Sequence, residues 1–348
     1  MRALVTGATG FVGQHVARRL RESCDVVVLV RDPEKAGHVL GAGFTAVEGD
    51  LRDRRSISRA LEGVDVAYHI GARRDHWGRP YSEYYDANVG GTRNLLEAAR
   101  AAKTAKIVYC SSVGVHGYDF DYRPVDEAHR YGNGLNYYHK TKMLAESLVM
   151  QSEMPVVTVR PGWIYGPNDD NGGVTQMLVR IASGRFALVG SGKNRLHPVY
   201  IDDVVAGTLA AAKSDAYGEA FLLLGPEVTT FRAFVDAMAG ALGVSPPRFR
   251  IPHAVALLSA YVLEPAWYVK NRTIGRGFLG DKPLMTRDSL AVVAEDQVFD
   301  VAKAERVLGH RPRVSIADGL AQTATWLAST RRLPAEVTAR LAGEAVNA

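Results

Sequence analysis

Three glycines separate an apolar, β-branched run from an amphipathic segment within the first residues of the chain, MRALVTGATGFVG. Gly7, Gly10 and Gly13 stand between a predicted strand and a predicted helix. Backbone amides and the positive end of the helix dipole can therefore approach a pyrophosphate without side chains in the way. A plain tight turn is the ordinary alternative for an isolated glycine trio, but the strand-turn-helix context favours a dinucleotide site.

Short apolar runs then alternate with helical segments through the first half of the chain. The predicted strands are 2–6, 25–30, 44–47, 65–69, 105–110 and 155–160. Between them, apolar residues recur at three- and four-residue spacing, as in crossover helices. This alternation predicts an α/β fold with a doubly wound parallel Rossmann sheet. After Arg160 the pattern changes to a Pro- and Gly-rich stretch followed by helices, which predicts a smaller, mostly helical C-terminal substrate-binding portion.

This change of pattern gives the expected domain organisation. We expect a dinucleotide-binding Rossmann domain over 1–165, to which 201–228 return, and a substrate-binding portion over 166–200 and 229–330. Residues 331–348 would form a C-terminal tail. The chain has 348 residues and 47% hydrophobic content, which is enough for a sizeable core.

Composition excludes several other classes of protein. The 42 basic and 37 acidic residues are interspersed, so no face for nucleic acid is predicted. Cys24 and Cys110 are far apart, which argues against a disulfide framework or a metal site. Strand-like residues begin at Ala3, too early for a signal peptide, so we expect a cytoplasmic protein. The apolar stretch 254–263 is too short to span a bilayer, although peripheral membrane contact by an interfacial helix is left open.

The end of the second predicted strand indicates the cofactor. Val30 and Arg31 stand where an acidic residue would bind the ribose hydroxyls of NAD. Arg31 can instead make a charge-assisted contact with a 2′-phosphate, so NADP(H) is the preferred cofactor, with NAD(H) as the alternative. A shift of one residue would make Asp32 the NAD-binding acid, but Asp32 followed by Pro33 is typical of a helix N-cap.

Tyr138 and Lys142 are four residues apart on a predicted helix, which sets both side chains on one face. A nearby ammonium is expected to favour the tyrosine phenolate and to lower its pKa from about 10 towards working pH. Tyr137 has Thr141 at the same offset and cannot be the paired member. Such a pair is ordinary on an exposed helix, so its value depends on its position in the fold.

Serine residues follow the fifth predicted strand at the edge where open α/β sheets bind ligands. Ser111 or Ser112 can hydrogen-bond a substrate oxygen there, although a helix-capping serine is the ordinary alternative. Asn88 lies within an amphipathic helix and either holds a water or loop near Lys142 or serves helix packing.

Taken together, these segments resemble the extended short-chain dehydrogenase/reductase superfamily, the NAD-dependent epimerase/dehydratase superfamily, from Met1 to about Leu327. The resemblance is carried by VTGATGFVG, GDL, NVGGT, VYCSSVGVHG, YHKTK, RPGWIYGP, VYIDDV and FDVAKAERVLGHRP. It implies a catalytic Ser112, with Tyr138 and Lys142 as the acid/base pair, and a homodimer. The expected cofactor-binding residues are Gly7, Thr9, Gly10, Phe11, Val12, Gly13, Arg31, Asp50, Leu51, Ile70, Gly71, Ala72, Asn88, Ser111, Tyr138, Lys142, Pro161 and Ile164.

Within that superfamily, the segments VRDP, GSGKNRLHPVYIDDV and KPLMTRDSLAVV resemble the dihydroflavonol reductase-like and 3β-hydroxysteroid or sterol dehydrogenase group. The resemblance implies an NADP(H)-dependent oxidoreductase that interconverts a secondary alcohol and a ketone on a bulky apolar substrate: a steroid, terpenoid, polyketide or long-chain β-keto compound. Val113 and Gly114 follow the serine where dehydratases carry a Thr-Asp-Glu-like run, so elimination is not expected. His116 departs from the tyrosine usual in the family.

Two alternatives differ in class. A nucleotide-sugar epimerase or reductase would need cations for a diphosphate, and Arg185, Lys193 and Arg195 are available; a non-catalytic dinucleotide sensor would not need the Tyr/Lys pair. A helix predicted over 253–268 has apolar residues nearly all round and is either core or the wall of an apolar substrate cleft. The aromatic and apolar residues expected for the pocket are Trp163, His253, Leu257, Leu258, Tyr261, Trp267 and Tyr268.

Overall fold

The computed structural model describes residues 1–74, 79–117, 124–134, 136–273 and 286–344. The segment KPLM before Thr286, the side chain of Tyr268 and the last four residues of the expected tail lie outside the described part.

Strands alternate with helices through the first half of the described chain. In chain order the strands are β1 (Arg2–Thr6), β2 (Asp25–Val30), β3 (Thr45–Glu48), β4 (Val66–His69), β5 (Lys106–Cys110), β6 (Val156–Pro161), β7 (Trp163–Tyr165), β8 (Leu188–Val189), β9 (Arg195–Leu196), β10 (Pro198–Tyr200), β11 (Ala220–Leu223), β12 (Thr229–Thr230) and β13 (Arg250–Ile251).

The helices of the described chain are, in order, α1 (Phe11–Arg21), α2 (Pro33–Leu40), α3 (Arg54–Ala60), α4 (Tyr81–Tyr84), α5 (Gly91–Ala102), α6 (Tyr137–Met150), α7 (Gly173–Ala182), α8 (Ile201–Lys213), α9 (Phe231–Ala241), α10 (His253–Thr273), α11 (Arg287–Ala294), α12 (Ala302–Leu308), α13 (Ile316–Ser329) and α14 (Ala335–Glu344). A π-helical turn (Tyr85–Gly90) joins α4 to α5, and a 3-10 turn (Val113–His116) follows β5.

Seven strands form one parallel sheet in the order β11-β6-β5-β4-β1-β2-β3. The α/β Rossmann prediction is thus confirmed. The order reverses at β1 and β4, the point where open sheets of this kind bind ligands outside the carboxyl ends of their strands. Residues 220–223 supply β11, which pairs with β6 at the sheet edge.

Helices cover both faces of this sheet, which explains why its central strands read as continuous apolar runs. On one face, α1 and α8 pack against residues such as Val5, Val28 and Val159. On the other, α3, α5 and α6 pack against residues such as Leu4 and Ile107. The two layers hold the carboxyl ends of the strands in fixed positions along one edge.

The C-terminal portion packs differently. Strands β8 and β13 pair in parallel, and α10 and α11 lie against them through a small cluster that includes Ala256, Ala260 and Leu290. Helix α10 continues to Thr273, past the predicted end at residue 268, with Pro265 inside it. The expectation that this helix is either core or covered applies to one face alone, because Leu258 is 67% exposed.

Candidate active site

The turn between β1 and α1 is tight because its glycines have no side chains. Gly7 adopts a φ of 71°, and a Cβ on it would lie 2.6 Å from the Cα of Gly71. A Cβ on Gly13 would lie 2.1 Å from the carbonyl oxygen of Gly7. Gly10, which precedes α1, offers no side-chain cap to the first amides of that helix. At these glycines the turn presents its backbone without side chains, which fits a dinucleotide pyrophosphate.

The loop after β4 lies directly against this turn. The Gly71 amide donates to the Thr6 hydroxyl at 3.1 Å, and a Cβ on Gly71 would lie 3.0 Å from the Leu51 side chain. Ile70 and Ala72, on either side of Gly71, are half-buried. Residues expected to line one dinucleotide path from three separate strands thus lie side by side.

A buried histidine links the same two strands to the segment that carries Asn88. The His69 ring nitrogens lie 2.8 Å from the Thr6 hydroxyl and 3.0 Å from the Thr92 hydroxyl, which itself donates to the Asn88 carbonyl. Since Thr92 donates onward, it accepts from His69 Nε2, and Nδ1 accepts from Thr6. Burial lowers the His69 pKa to about 3, so the ring is neutral.

Asn88 joins the loop after β4 to α6. Its side-chain oxygen accepts from the Arg73 amide at 2.6 Å, and its amide group donates to the Arg73 carbonyl and to the Thr141 hydroxyl, at 3.1 and 2.9 Å. The sequence left a choice between loop anchoring and helix packing. Both occur, because Asn88 ties a loop to the helix that carries Tyr138 and Lys142.

The two residues after β2 have different roles, because Asp32 caps a helix and Arg31 is exposed. The Asp32 carboxylate accepts from the Lys35 amide at 3.0 Å and caps α2, whose first residue is Pro33. Arg31 is exposed at the strand end. The pKa of Asp50 is lowered, mainly by its hydrogen bonds from Arg52, and the Arg31 charge adds to the effect. Arg31 is thus the cation at the place where a ribose substituent is expected.

Ser112 and Tyr138 lie together at the end of β5. The Ser112 hydroxyl accepts from the Gly114 amide at 3.1 Å and is hydrogen-bonded to the Tyr138 hydroxyl. Asn136 caps α6 by accepting from the His139 amide at 2.8 Å, which fixes the start of the helix just before Tyr138. Of the two candidate serines, Ser112 is therefore the one beside the tyrosine.

Lys142 is buried one turn further along α6. Its ammonium donates to the Cys110 carbonyl at 2.5 Å and lies 4.2 Å from the centre of the Tyr109 ring. Burial lowers the Lys142 pKa to about 8, although the Cys110 thiol and the Glu146 carboxylate act in the opposite direction.

The expected lowering of the Tyr138 pKa is wrong for this structure. Burial raises it to about 12, against the smaller opposing effects of the Arg74 charge and the Ser112 hydrogen bond. Burial destabilises the phenolate more than the Arg74 charge and the Ser112 hydrogen bond stabilise it. Tyr138 is therefore protonated at neutral pH.

Ser111 belongs to a buried polar cluster behind the site. This cluster was not predicted from the sequence. The Ser111 hydroxyl donates to Glu146, whose carboxylate also accepts from Arg160 at 2.5 and 2.9 Å and from the Tyr131 hydroxyl at 3.1 Å. The Ser111 hydroxyl is therefore not directed at a cofactor. The available signal was the spacing of Tyr138, Lys142 and Glu146, which places all three on one face of α6.

His116 joins this cluster. One ring nitrogen lies 3.1 Å from the Arg160 guanidinium and the other 3.4 Å from the Arg130 carbonyl. Burial, aided by Arg160, lowers the His116 pKa to about 4. His116, the residue that departs from the family pattern, is thus a neutral ring that supports Arg160.

The other expected residues are spread along the sheet edge and beyond it. Pro161 pairs with Leu223 at the end of β6, and Ile164 lies in β7 beside β10. Trp163 packs on Phe234, with ring centres 5.9 Å apart.

The cations weighed for a sugar diphosphate do not form one group. Arg195 donates from Nε and Nη2 to one carboxylate oxygen of Asp296, at 2.9 and 2.7 Å. Arg185 and Lys193 are exposed on other loops. Among the described residues, no three His, Cys, Asp or Glu side chains are arranged to hold a metal ion. Within the same ranges, every helix is too short or too polar to cross a membrane.

Comparison with known proteins gives concordant results. The model of the NAD dependent epimerase/dehydratase family matches residues 3–223. The chain is 30% identical to a 2-alkyl-3-oxoalkanoate reductase of Stenotrophomonas maltophilia, over 92% of this chain and 97% of the relative. It is 27% identical to a decarboxylating sterol-4-alpha-carboxylate 3-dehydrogenase of Schizosaccharomyces pombe, over 95% and 99%. The solved structure of gox2253 superimposes with a TM-score of 0.78 at 31% identity, over 95% and 99% of the two chains.

Proposed function

The chain belongs to the NAD dependent epimerase/dehydratase family, and we propose that it is an NADP(H)-dependent oxidoreductase that interconverts a secondary alcohol and a ketone on a bulky apolar molecule. The observation that carries the proposal is the hydrogen-bonded pair of Ser112 and Tyr138 at the end of β5, with Lys142 one turn along the same helix. The turns at Gly7 and Gly71, which fit a dinucleotide, touch each other between neighbouring strands of the same sheet.

Tyr138 is the proton donor in the direction of reduction. Its pKa of about 12 keeps the hydroxyl protonated, so it can give its proton to the carbonyl oxygen of the substrate. Ser112 offers a second hydrogen bond to the same oxygen, and the Arg74 charge favours the phenolate that results. The Lys142 ammonium is held by the Cys110 carbonyl one turn along the same helix. A bound nicotinamide dinucleotide supplies the hydride to the carbonyl carbon, or receives it in the reverse reaction.

The choice of NADP(H) rests on two neighbouring side chains. Arg31 is exposed at the end of β2, and the Asp32 carboxylate is occupied as a helix cap. A guanidinium at this place can form a charge-assisted pair with a 2′-phosphate, whereas a ribose-binding carboxylate would repel it.

The substrate class that we propose is a β-keto acid with an alkyl substituent on the carbon between the two groups, or the corresponding β-hydroxy acid. The names of two relatives share that chemistry. A 2-alkyl-3-oxoalkanoate has its ketone next to the carbon that bears the carboxylate, and a sterol 4-carboxylate oxidised at carbon 3 has the same arrangement.

The position of Arg74 favours the binding of a substrate carboxylate near Tyr138. Its charge opposes the effect of burial on the Tyr138 pKa, and its guanidinium is about half exposed, with a 3.5 Å contact to the buried Asp169. A guanidinium has five N–H donors, so Arg74 can also bind a substrate carboxylate. Asn88 holds the preceding residue, Arg73, and thereby fixes the loop that carries this cation.

A cofactor-linked screen tests the proposal. Oxidation of a 2-alkyl-3-hydroxy acid by NADP⁺ is measured beside its methyl ester, a 3β-hydroxysteroid and a nucleotide sugar. We expect the acid to react best, and Arg74→Gln to lower kcat/KM for the acid by about tenfold or more while the ester changes little. Arg306→Gln, on the exposed face of α12, is the matched control.

The possible failures of this screen have different meanings. Equal turnover of acid and ester would contradict the carboxylate site and leave the alcohol/ketone reaction standing. Turnover confined to nucleotide sugars would contradict the proposed function itself.

A further inference from the structure

Helix α10 has its small residues inside and its large apolar residues outside. Ala256 and Ala260 are fully buried, and Glu264 and Trp267 are buried further along the same side. At 3.6 residues per turn, these four positions fall within an arc of about 80°. They attach the helix to the body of the protein along most of its length.

The opposite side of α10 is an exposed apolar face, defined here as Val255, Leu258, Val262 and Val269. These side chains are 57%, 67%, 60% and 64% exposed, and they fall within an arc of about 60° opposite the buried side. Tyr261 borders the same face at 56% exposed. A helix that faces water normally carries polar residues there, so this arrangement indicates contact with a second apolar phase.

Basic residues surround this face in the sequence. Residues 248–273 contain Arg248, Arg250, Lys270 and Arg272, against Glu264 as the one acid. Arg248 and Arg250 are exposed on either side of Phe249, which is itself 77% exposed.

The acid does not offset this positive charge at the surface. The Glu264 side chain is 4% exposed and accepts from the Arg287 Nε at 2.9 Å, so its charge is paired on the buried side of the helix. The exposed charges of the described residues that lead into α10, Arg248 and Arg250, therefore form a positive rim.

We propose that the outer face of α10 docks on a lipid surface that carries anionic headgroups. Large exposed apolar side chains beside exposed arginines are the features that allow a helix to lie in a membrane interface. A second copy of the chain fits the face less well. A two-fold interface sets a patch against itself, which would bring the two positive rims together.

Cosedimentation of the full chain with vesicles tests the proposal. Vesicles of equimolar phosphatidylcholine and phosphatidylglycerol are compared with pure phosphatidylcholine vesicles, at low and high NaCl. We expect binding to the anionic vesicles that weakens with salt, because surface charges are screened. The double variant Leu258→Ser/Val262→Ser should lower the partition coefficient by about tenfold or more.

Two further variants separate the contributions. Arg248→Gln/Arg250→Gln should weaken binding to anionic vesicles by roughly fivefold per arginine and leave binding to neutral vesicles unchanged. Val307→Ser, at an equally apolar position 45% exposed on α12, should bind like the wild type. The thermal midpoint of each variant verifies that it is folded.

Three results would overturn the proposal. The first is wild-type protein that stays in the supernatant with both kinds of vesicle. The second is equal binding by the Leu258→Ser/Val262→Ser variant. The third is a concentration-dependent dimer that this variant dissociates, which would assign the face to a second copy of the chain.

Discussion

The carboxyl edge of the sheet and the outer face of α10 differ in which side chains they bury: the first buries charged groups, and the second exposes apolar ones. Behind the sheet edge, Glu146 and Arg160 are buried together and hydrogen-bonded, although burying charge is unfavourable. On α10, Leu258 and Val262 are exposed, although leaving them in water is unfavourable. Each region departs from the usual pattern in its own direction.

The difference indicates what each region acts on. Behind the proposed site, Glu146 and Arg160 are paired with each other and with Ser111, so these polar groups already have their partners within the protein. The exposed apolar face of α10 offers area but no reactive group, so it is suited to docking on a surface. Chemistry and docking should therefore respond to different substitutions.

Tyr138→Phe should have the largest effect and should separate turnover from binding. Loss of an acid/base group lowers kcat by about 10² to 10⁴. NADPH affinity, measured by fluorescence titration, should change little, because the hydroxyl faces Ser112 and the reacting oxygen. Tyr137→Phe, the 39% exposed neighbour on the same helix, is the control and should retain full activity. Turnover of Tyr138→Phe within about tenfold of wild type would remove Tyr138 from the proposed reaction.

Glu146→Gln should have the next largest effect, on stability. It leaves the Arg160 guanidinium buried with a neutral partner, and breaking a buried pair costs about 3–5 kcal/mol in free energy of unfolding. Glu153→Gln is the matched control, since the Arg100–Glu153 pair is 73% and 81% exposed and such pairs contribute about 0–1 kcal/mol. Urea unfolding measures both. Equal losses would mean that burial of the Glu146–Arg160 pair has no energetic consequence.

The same variant also has a readout that a structural role alone would not change. The Glu146 carboxylate raises the Lys142 pKa against the larger effect of burial, which lowers it to about 8. Removing the carboxylate should lower that pKa further. If turnover needs the ammonium, kcat/KM falls above this pKa in both proteins, and the fall should begin at lower pH in Glu146→Gln. An unchanged pH profile would limit Glu146 to stability.

Arg31→Ala should have a moderate effect, on cofactor choice. Loss of a charge-assisted hydrogen bond costs about 1.5–3 kcal/mol, so NADPH should bind roughly ten- to a hundredfold more weakly while NADH changes little. Competition binding with both cofactors measures the ratio, and Arg306→Ala on α12 is the control. Equal losses for NADPH and NADH would assign this role to Asp32 or to the backbone.

The sheet was largely predictable from sequence, because its strands are buried on both faces and therefore read as uninterrupted apolar runs. The observed bounds of β3, β4, β5 and β6 are shifted from the predicted ones by at most one residue at each end. Gly7 and Gly13 were recognisable for a related reason, since only glycine fits the turn.

The site was less predictable where burial decides. Ser111 and Ser112 are equivalent in sequence, yet neighbouring side chains in an extended segment point to opposite sides, and only one meets Tyr138. The Tyr138 pKa depends on its surroundings, which spacing along a helix does not contain. Glu146 and Arg160 are 14 residues apart and meet only because α6 packs beside β6.

For helix α10, the sequence could not predict which side is buried. An apolar pattern on every side does not say which side the protein covers. Side-chain size decides which side of α10 is buried. Ala256 and Ala260 permit close packing against Leu290, and the larger residues are left outside.

Leu258→Ser should have the smallest effect on the folded chain, and for that reason it is the sharpest test of the contrast. Surface substitutions away from special features change the free energy of unfolding by about 0.5 kcal/mol or less. Leu290→Ala, on the buried side of the same cluster, should cost about 2–5 kcal/mol because it leaves a cavity. Urea unfolding without lipid compares the two. A loss of 2 kcal/mol or more for Leu258→Ser would mean that another part of the chain covers this face in solution, and the face could then not serve as a free docking surface. A loss near zero, together with weaker binding to anionic vesicles, would show that Leu258 acts outside the fold, in contrast to the buried groups behind Tyr138.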